Sequence, residues 1–189
     1  MPPKVKTSRE DIISASLGII RENGAQALNA RAIAARLGCS TQPLFSNFES
    51  MEQLEQDTIG AAYDLYLGFI AREVKSGKYP RYKAFGMAYI RFAYEERELF
   101  KLLFMRDRRG EEVPPSPDFE EAVRMMMSAN GIDEQTARLM HTEVWICVHG
   151  IGTMLATSFL NFDWDDISDM ITDVYQGLRA RHLGEAKNK

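Results

Sequence analysis

Residues 24–54 read Gly24-Ala-Gln-Ala-Leu-Asn-Ala-Arg-Ala-Ile-Ala-Ala-Arg-Leu-Gly-Cys-Ser-Thr-Gln-Pro-Leu-Phe-Ser-Asn-Phe-Glu-Ser-Met-Glu-Gln-Leu54. Asn29 suits a helix N-cap, because its side-chain oxygen can accept from backbone amides of the first turn. Ala30, Ile33, Ala34 and Leu37 then recur on one helical face. Gly38 ends that helix, since glycine takes the left-handed conformation without strain. Cys39 reads as a small buried apolar side chain in the turn. Ser40 can cap the next helix, with Pro43 in its first turn, where a missing amide proton costs little. That second helix spans about 41–47, with Leu44 and Phe48 inward and Thr41, Gln42 and Pro43 outward. So short a helix is marginal alone in water and must be held by its neighbours. Two such helices suit either a presented recognition helix or an ordinary helical hairpin in a core.

The block resembles the helix-turn-helix domain of the tetracycline-repressor (TetR) family of bacterial regulators. The matching residues are Leu28-Asn29, Ile33-Ala34, Gly38-Cys39-Ser40, Leu44-Phe45-Ser46-Asn47-Phe48 and Ser50-Met51-Glu52, within roughly residues 8–55. The resemblance implies DNA binding through Asn29, Arg31, Thr41, Gln42, Pro43, Phe45 and Asn47. Gln42 and Thr41 are the candidates for base edges, since glutamine can pair bidentately with adenine. The chain departs from the family where a tyrosine, a histidine and a later lysine commonly touch phosphates: it has Phe45, Asn47 and Met51. Phosphate anchoring is then expected to lean on Arg31, Asn47, helix N-termini and an N-terminal arm carrying Lys4 and Lys6.

The chain has 189 residues, 45% of them hydrophobic, and a net charge of −4. Residues 1–50 carry six basic and four acidic side chains; the rest carries seventeen and twenty-three. A basic head on an acidic body agrees with nucleic-acid binding at one end. No run of eighteen apolar residues suggests a membrane span, and the first residues lack an apolar signal region. Cys39 and Cys147 lie far apart in helical context, so a reducing cytoplasm suffices.

Nearly everything reads helical: 8–23, a long helix over about 50–76, then 81–94, 96–104, 118–129, 133–159 and 164–182, without convincing strands. Residues 106–117 are charged, then proline-rich, and read as an exposed loop; 187–189 read as a frayed tail. The 133–159 helix carries Met140, Val144, Ile151, Met154, Leu155 and Phe159 with little charge after Glu143, a pattern that calls for burial on every side. The 164–182 helix shows Trp164, Ile167, Ile171, Val174 and Leu178 on one face, with Asp163 as N-cap. The resemblance implies that these two helices pair with their copies in a homodimer, whose two-fold axis suits a palindromic operator.

Trp145 followed by His149-Gly150 resembles a TetR subgroup with tryptophan and histidine-glycine at this spacing in the C-terminal domain. Four residues apart, Trp145 and His149 share a helical face and can offer an aromatic wall with a polar tip. Tyr66, Phe85, Tyr89, Phe92, Phe100, Phe104, Met125 and Met126 are further candidates for a ligand wall, although aromatics and methionines at helical spacing are more often plain core. No serine-nucleophile elbow and no phosphate-binding glycine loop occur. His141 and His149 stand about 12 Å apart along a helix, too far to share a metal, so neither cofactor nor metal is expected.

These readings give an all-α, non-enzymatic, cytoplasmic protein: an N-terminal three-helix helix-turn-helix DNA-binding domain (1–50), then a helical ligand-binding and dimerisation domain (51–189). The expected function is a dimeric transcriptional repressor released from its operator by a small apolar or aromatic ligand. The alternative is a helical ligand-binding protein that has lost sequence-specific DNA binding.

Overall fold

The computed structural model describes residues 7–109 and 116–184. The expected arm with Lys4 and Lys6, the 110–115 part of the expected loop and the 187–189 tail lie outside the described residues. All regular structure among the described residues is helical: α1 (Arg9–Asn23), α2 (Ala30–Leu37), α3 (Gln42–Asn47), α4 (Met51–Ser76), α5 (Arg81–Glu95), α6 (Arg97–Phe104), α7 (Pro117–Asn130), α8 (Glu134–Ala156) and α9 (Trp164–Gly184). A 3-10 turn at Ala25–Ala27, which periodicity does not signal, joins α1 to α2. No helix of the described chain is long and apolar enough to cross a membrane.

The chain divides into two compact units: Met1–Leu67 with Glu96–Arg106, and Gly68–Glu95 with Asp107–Lys189. In the first unit, α1 opens with a capping box, in which the Ser8 hydroxyl accepts from the Asp11 amide and the Asp11 carboxylate accepts from the Ser8 amide. Its apolar stripe buries Ile12, Ala15 and Ile19 against Ile33 of α2, Leu44 of α3, Phe48 and Leu54. α1 also packs on α6, where Leu99, Phe100 and Leu103 are buried and Glu96 receives a two-pronged hydrogen bond from Arg21.

In the second unit, α5 and α8 pack along their lengths, and α7 and α9 pack on both. Gly86 makes the approach possible: a Cβ there would sit 3.3 Å from the Val148 side chain and 3.7 Å from that of Ile171. α8 ends three residues earlier than its apolar pattern suggests. Thr157 caps it and Ser158 adopts a positive φ of 56°. The chain therefore turns, and Phe159, expected on the inward face, is 75% exposed. Burial on every side of α8 is also not what the single chain has. Leu139 and Ile146, seven residues apart and so on one face, are 52% and 61% exposed.

Candidate nucleic-acid interface

The α2–α3 pair is built by its end residues. The Asn29 side chain accepts from the amides of Arg31 and Ala32, as an N-cap should. Gly38 closes α2 in the left-handed conformation at φ 64°, with its amide bonded back to Ala34 and Ala35. Ser40 does not cap α3. The cap position is Thr41, already in helical conformation and without a side-chain cap bond, so Ser40 falls one residue too early. Pro43 in the first turn offers no amide proton, which leaves fewer donors for a cap to satisfy. Cys39 is half-buried rather than enclosed.

α3 turns Leu44 into the core and Gln42 and Phe45 out of it. Thr41 and Pro43, expected to face outward, are half-buried, because so short a helix seats its first turn against the frame. Arg31 and Asn29 on α2 are exposed, and Phe45 is 55% exposed. Asn47 spends its amide protons inside the fold, donating to the Pro43 carbonyl at 2.7 Å and to that of Thr7 at 3.5 Å.

Arg9 does something that no local pattern announces. Its guanidinium donates to the Asn47 carbonyl at 2.6 Å, pairs with Asp57 of α4, and lies 4.2 Å over the Phe48 ring. One side chain thus ties the start of α1 to the end of α3 and to α4. The partners are 38 and 48 residues away in sequence, so only tertiary structure reveals the role.

In the second unit, the Trp145 and His149 rings stack at 5.0 Å and 20°, and Tyr89 bonds His149 Nδ1 through its hydroxyl at 2.8 Å. Burial lowers the His149 pKa and raises that of Tyr89, so at neutral pH a neutral phenol shares this hydrogen bond with a neutral imidazole. Trp145 is 38% exposed. A second pair of the same kind lies two turns away: Tyr82 and His141 Nδ1 at 2.9 Å, with Phe119 4.5 Å from the imidazole. Burial pushes His141 down to about 4. The spacing of Tyr82 from Tyr89 and of His141 from His149 was the available signal for this repeat.

The other wall candidates are distributed over both units. Phe85 is half-buried on α5; Phe92 is buried edge-on to Phe69 at 5.3 Å. Met126 belongs to a cluster with Val123, Ala137 and Met140, and Met125 beside it is half-buried. Tyr66 and Phe104 meet edge-on at 5.4 Å, and Phe100 lies 5.3 Å from Phe104, all in the first unit.

A chain whose α1–α3 form a helix-turn-helix frame ahead of further helices has the fold of a class of regulators. Residues 82–175 match a family model described as the tetracyclin repressor-like C-terminal domain. Among solved structures, a TetR-like transcriptional regulator from Rhodococcus sp. RHA1 is similar, with a TM-score of 0.66 at 17% identity over 97% of this chain and 98% of that one. A putative TetR-family transcriptional regulator from Vibrio parahaemolyticus gives 0.63 at 15% identity, over 89% and 96%. A protein of unknown function from Rhodococcus sp. RHA1 gives 0.67 at 18% identity, over 94% and 96%. No curated protein matches the sequence. The chain belongs to the tetracycline-repressor (TetR) family.

Proposed function

We propose that this protein is a homodimeric, sequence-specific DNA-binding transcriptional repressor, with a DNA-reading head in residues 1–50 and a ligand-binding and dimerising body in 51–189. One observation carries the proposal: Gln42 stands exposed on α3 and Arg31 exposed on α2, on a frame whose inward side chains are buried. Gln42 reads a base edge and Arg31 grips phosphate. Asn29, Thr41 and Pro43 fill the adjoining surface, and backbone amides at helix starts add phosphate donors. The body binds a small apolar or aromatic effector around Tyr89, Trp145 and His149, where two rings and one polar tip come together. That ligand releases the operator by favouring a conformer that binds it less well, which requires unequal affinity for the two. The exposed apolar face of α8 is the dimer contact.

A second reading, a ligand-binding protein without sequence-specific DNA binding, is favoured by Phe45 and by the internal use of the Asn47 amide. Selection of the purified protein against random duplex DNA at near-physiological salt separates the two. A recovered inverted repeat whose affinity falls steeply with salt supports the regulator. No enrichment from folded protein, with and without an aromatic ligand library, supports the second reading.

A further inference from the structure

The second turn of α3 has nothing left with which to grip a phosphate. The Asn47 amide donates to the carbonyls of Pro43 and Thr7, and the Ser46 hydroxyl donates to the carbonyl of Gln42 at 3.0 Å. What remains pointing out of this turn is the Phe45 phenyl ring, an apolar side chain more than half exposed. A phenyl ring beside a nucleic acid has few favourable neighbours. It offers phosphate oxygens no hydrogen bond, and leaving it in water costs free energy. Of the groups on a major-groove floor, the one that welcomes an apolar ring is the C5-methyl of thymine.

Resting on the DNA-binding reading, we infer that Phe45 is a specificity-determining residue that packs on a thymine methyl group close to the base read by Gln42. Gln42 and Phe45 are three residues apart and both exposed, so they share the outward face of α3. Three residues advance the helix by about 4.5 Å. Base pairs follow one another every 3.4 Å or so. The two side chains therefore address the same or neighbouring base pairs. The amide selects by hydrogen bonds, and the ring selects by burying a methyl group. A tyrosine in this place would pack its ring on the same methyl group and add a donor able to reach phosphate; the phenylalanine keeps the sequence-dependent contact and lacks the sequence-blind one.

The test deletes the methyl group alone. In the repeat recovered by selection, each thymine is replaced singly by deoxyuridine, which leaves base pairing unchanged. At one or two positions per half-site, within two base pairs of the position that Gln42→Ala makes indifferent, affinity should fall by about fourfold, the weight of one buried methyl-sized group. Phe45→Ala, checked for folding by circular dichroism and melting, should bind the thymine and uracil duplexes alike, and Phe45→Tyr should keep the difference. Indifference of the unsubstituted protein to uracil everywhere overturns the inference. So does a uracil effect undiminished in Phe45→Ala, or a Phe45→Ala loss equal on operator and random DNA. If no repeat is recovered, the regulator reading fails along with this one; a repeat recovered but blind to uracil sinks this one alone.

Discussion

Under the proposed function, in which Gln42 reads a base edge and Arg31 grips the backbone, their substitutions should separate accordingly. Gln42→Ala is expected to lose about 1–3 kcal/mol on the operator and to relax preference at one base pair per half-site. Arg31→Ala should weaken operator and random DNA equally and lower the salt slope by about one per head. Fluorescence-anisotropy titrations on both duplexes at several salt concentrations read both effects. His141 gives a residue-scale prediction about stability. Buried among Tyr82 and Phe119, with the Asp118 charge the opposing influence, it stays neutral in the folded chain down to about pH 4. The unfolded imidazole protonates near pH 6.5. Because the unfolded state takes the proton first, this contribution is complete above about pH 6.5 and is lost as pH falls toward 4, with a slope of up to about 1.4 kcal/mol per unit. Denaturant unfolding at pH 7.5, 6.0 and 5.0 should show that decline. His141→Gln, which keeps an acceptor for Tyr82 but cannot titrate, should flatten it in part; His149, shifted the same way, and the carboxylates held below their usual range, such as Glu120 beside Arg138, contribute to the rest.

At the scale of elements, α3 is the informative case. Six residues cannot hold a helix in water, so Leu44, Phe48 and the Arg9 clamp must hold it. Leu44→Ala is expected to cost about 2–5 kcal/mol in chemical denaturation, since the leucine is fully buried. Arg9→Ala should cost far less, because its ion pair with Asp57 is a third or more exposed on both sides. It should nevertheless lower operator affinity, by loosening α3, while leaving the salt slope near that of the unsubstituted protein. A salt slope reduced by a full unit would mean that Arg9 itself touches phosphate. Much of this architecture was legible in the sequence because it is local. Asn29, Gly38, Leu44 and Phe48 act over a few residues, and their spacing announces it. The long-range links were not legible. The Arg9 clamp joins residues dozens of positions apart, the Tyr82–His141 pair left only a matched spacing as its signal, and the positive φ at Ser158 ends α8 where its apolar pattern still runs on. Composition likewise did not reveal that the aromatic wall candidates divide between two units, because periodicity assigns a residue to a face and not to a neighbour.

For the whole molecule, the open question in a single chain is what covers α8. Leu139 and Ile146 stand well exposed on one face, and Gly150, one further turn along, has open space where a Cβ would be. A face with two exposed aliphatic side chains and no side chain at Gly150 suits close approach of a second helix. If it is the two-fold contact, Ile146→Glu places a charge against its own symmetry mate and should shift the protein from dimer to monomer in sedimentation velocity at micromolar concentration. The fold of each protomer should survive, because Ile146 buries little within its own chain. Val148→Ala is the matched control: it opens a cavity beside Gly86, lowers stability, and leaves association alone. The consequence for DNA follows from linkage. In a dimer, binding of the first head presents the second at high effective concentration to the other half-site. The Ile146→Glu monomer should therefore bind a full inverted repeat hardly better than a single half-site, with contacts within each half-site unchanged. A monomer that still preferred the full repeat strongly would place the two-fold contact elsewhere, and a dimer undisturbed by the glutamate would leave this face of α8 without a role in assembly.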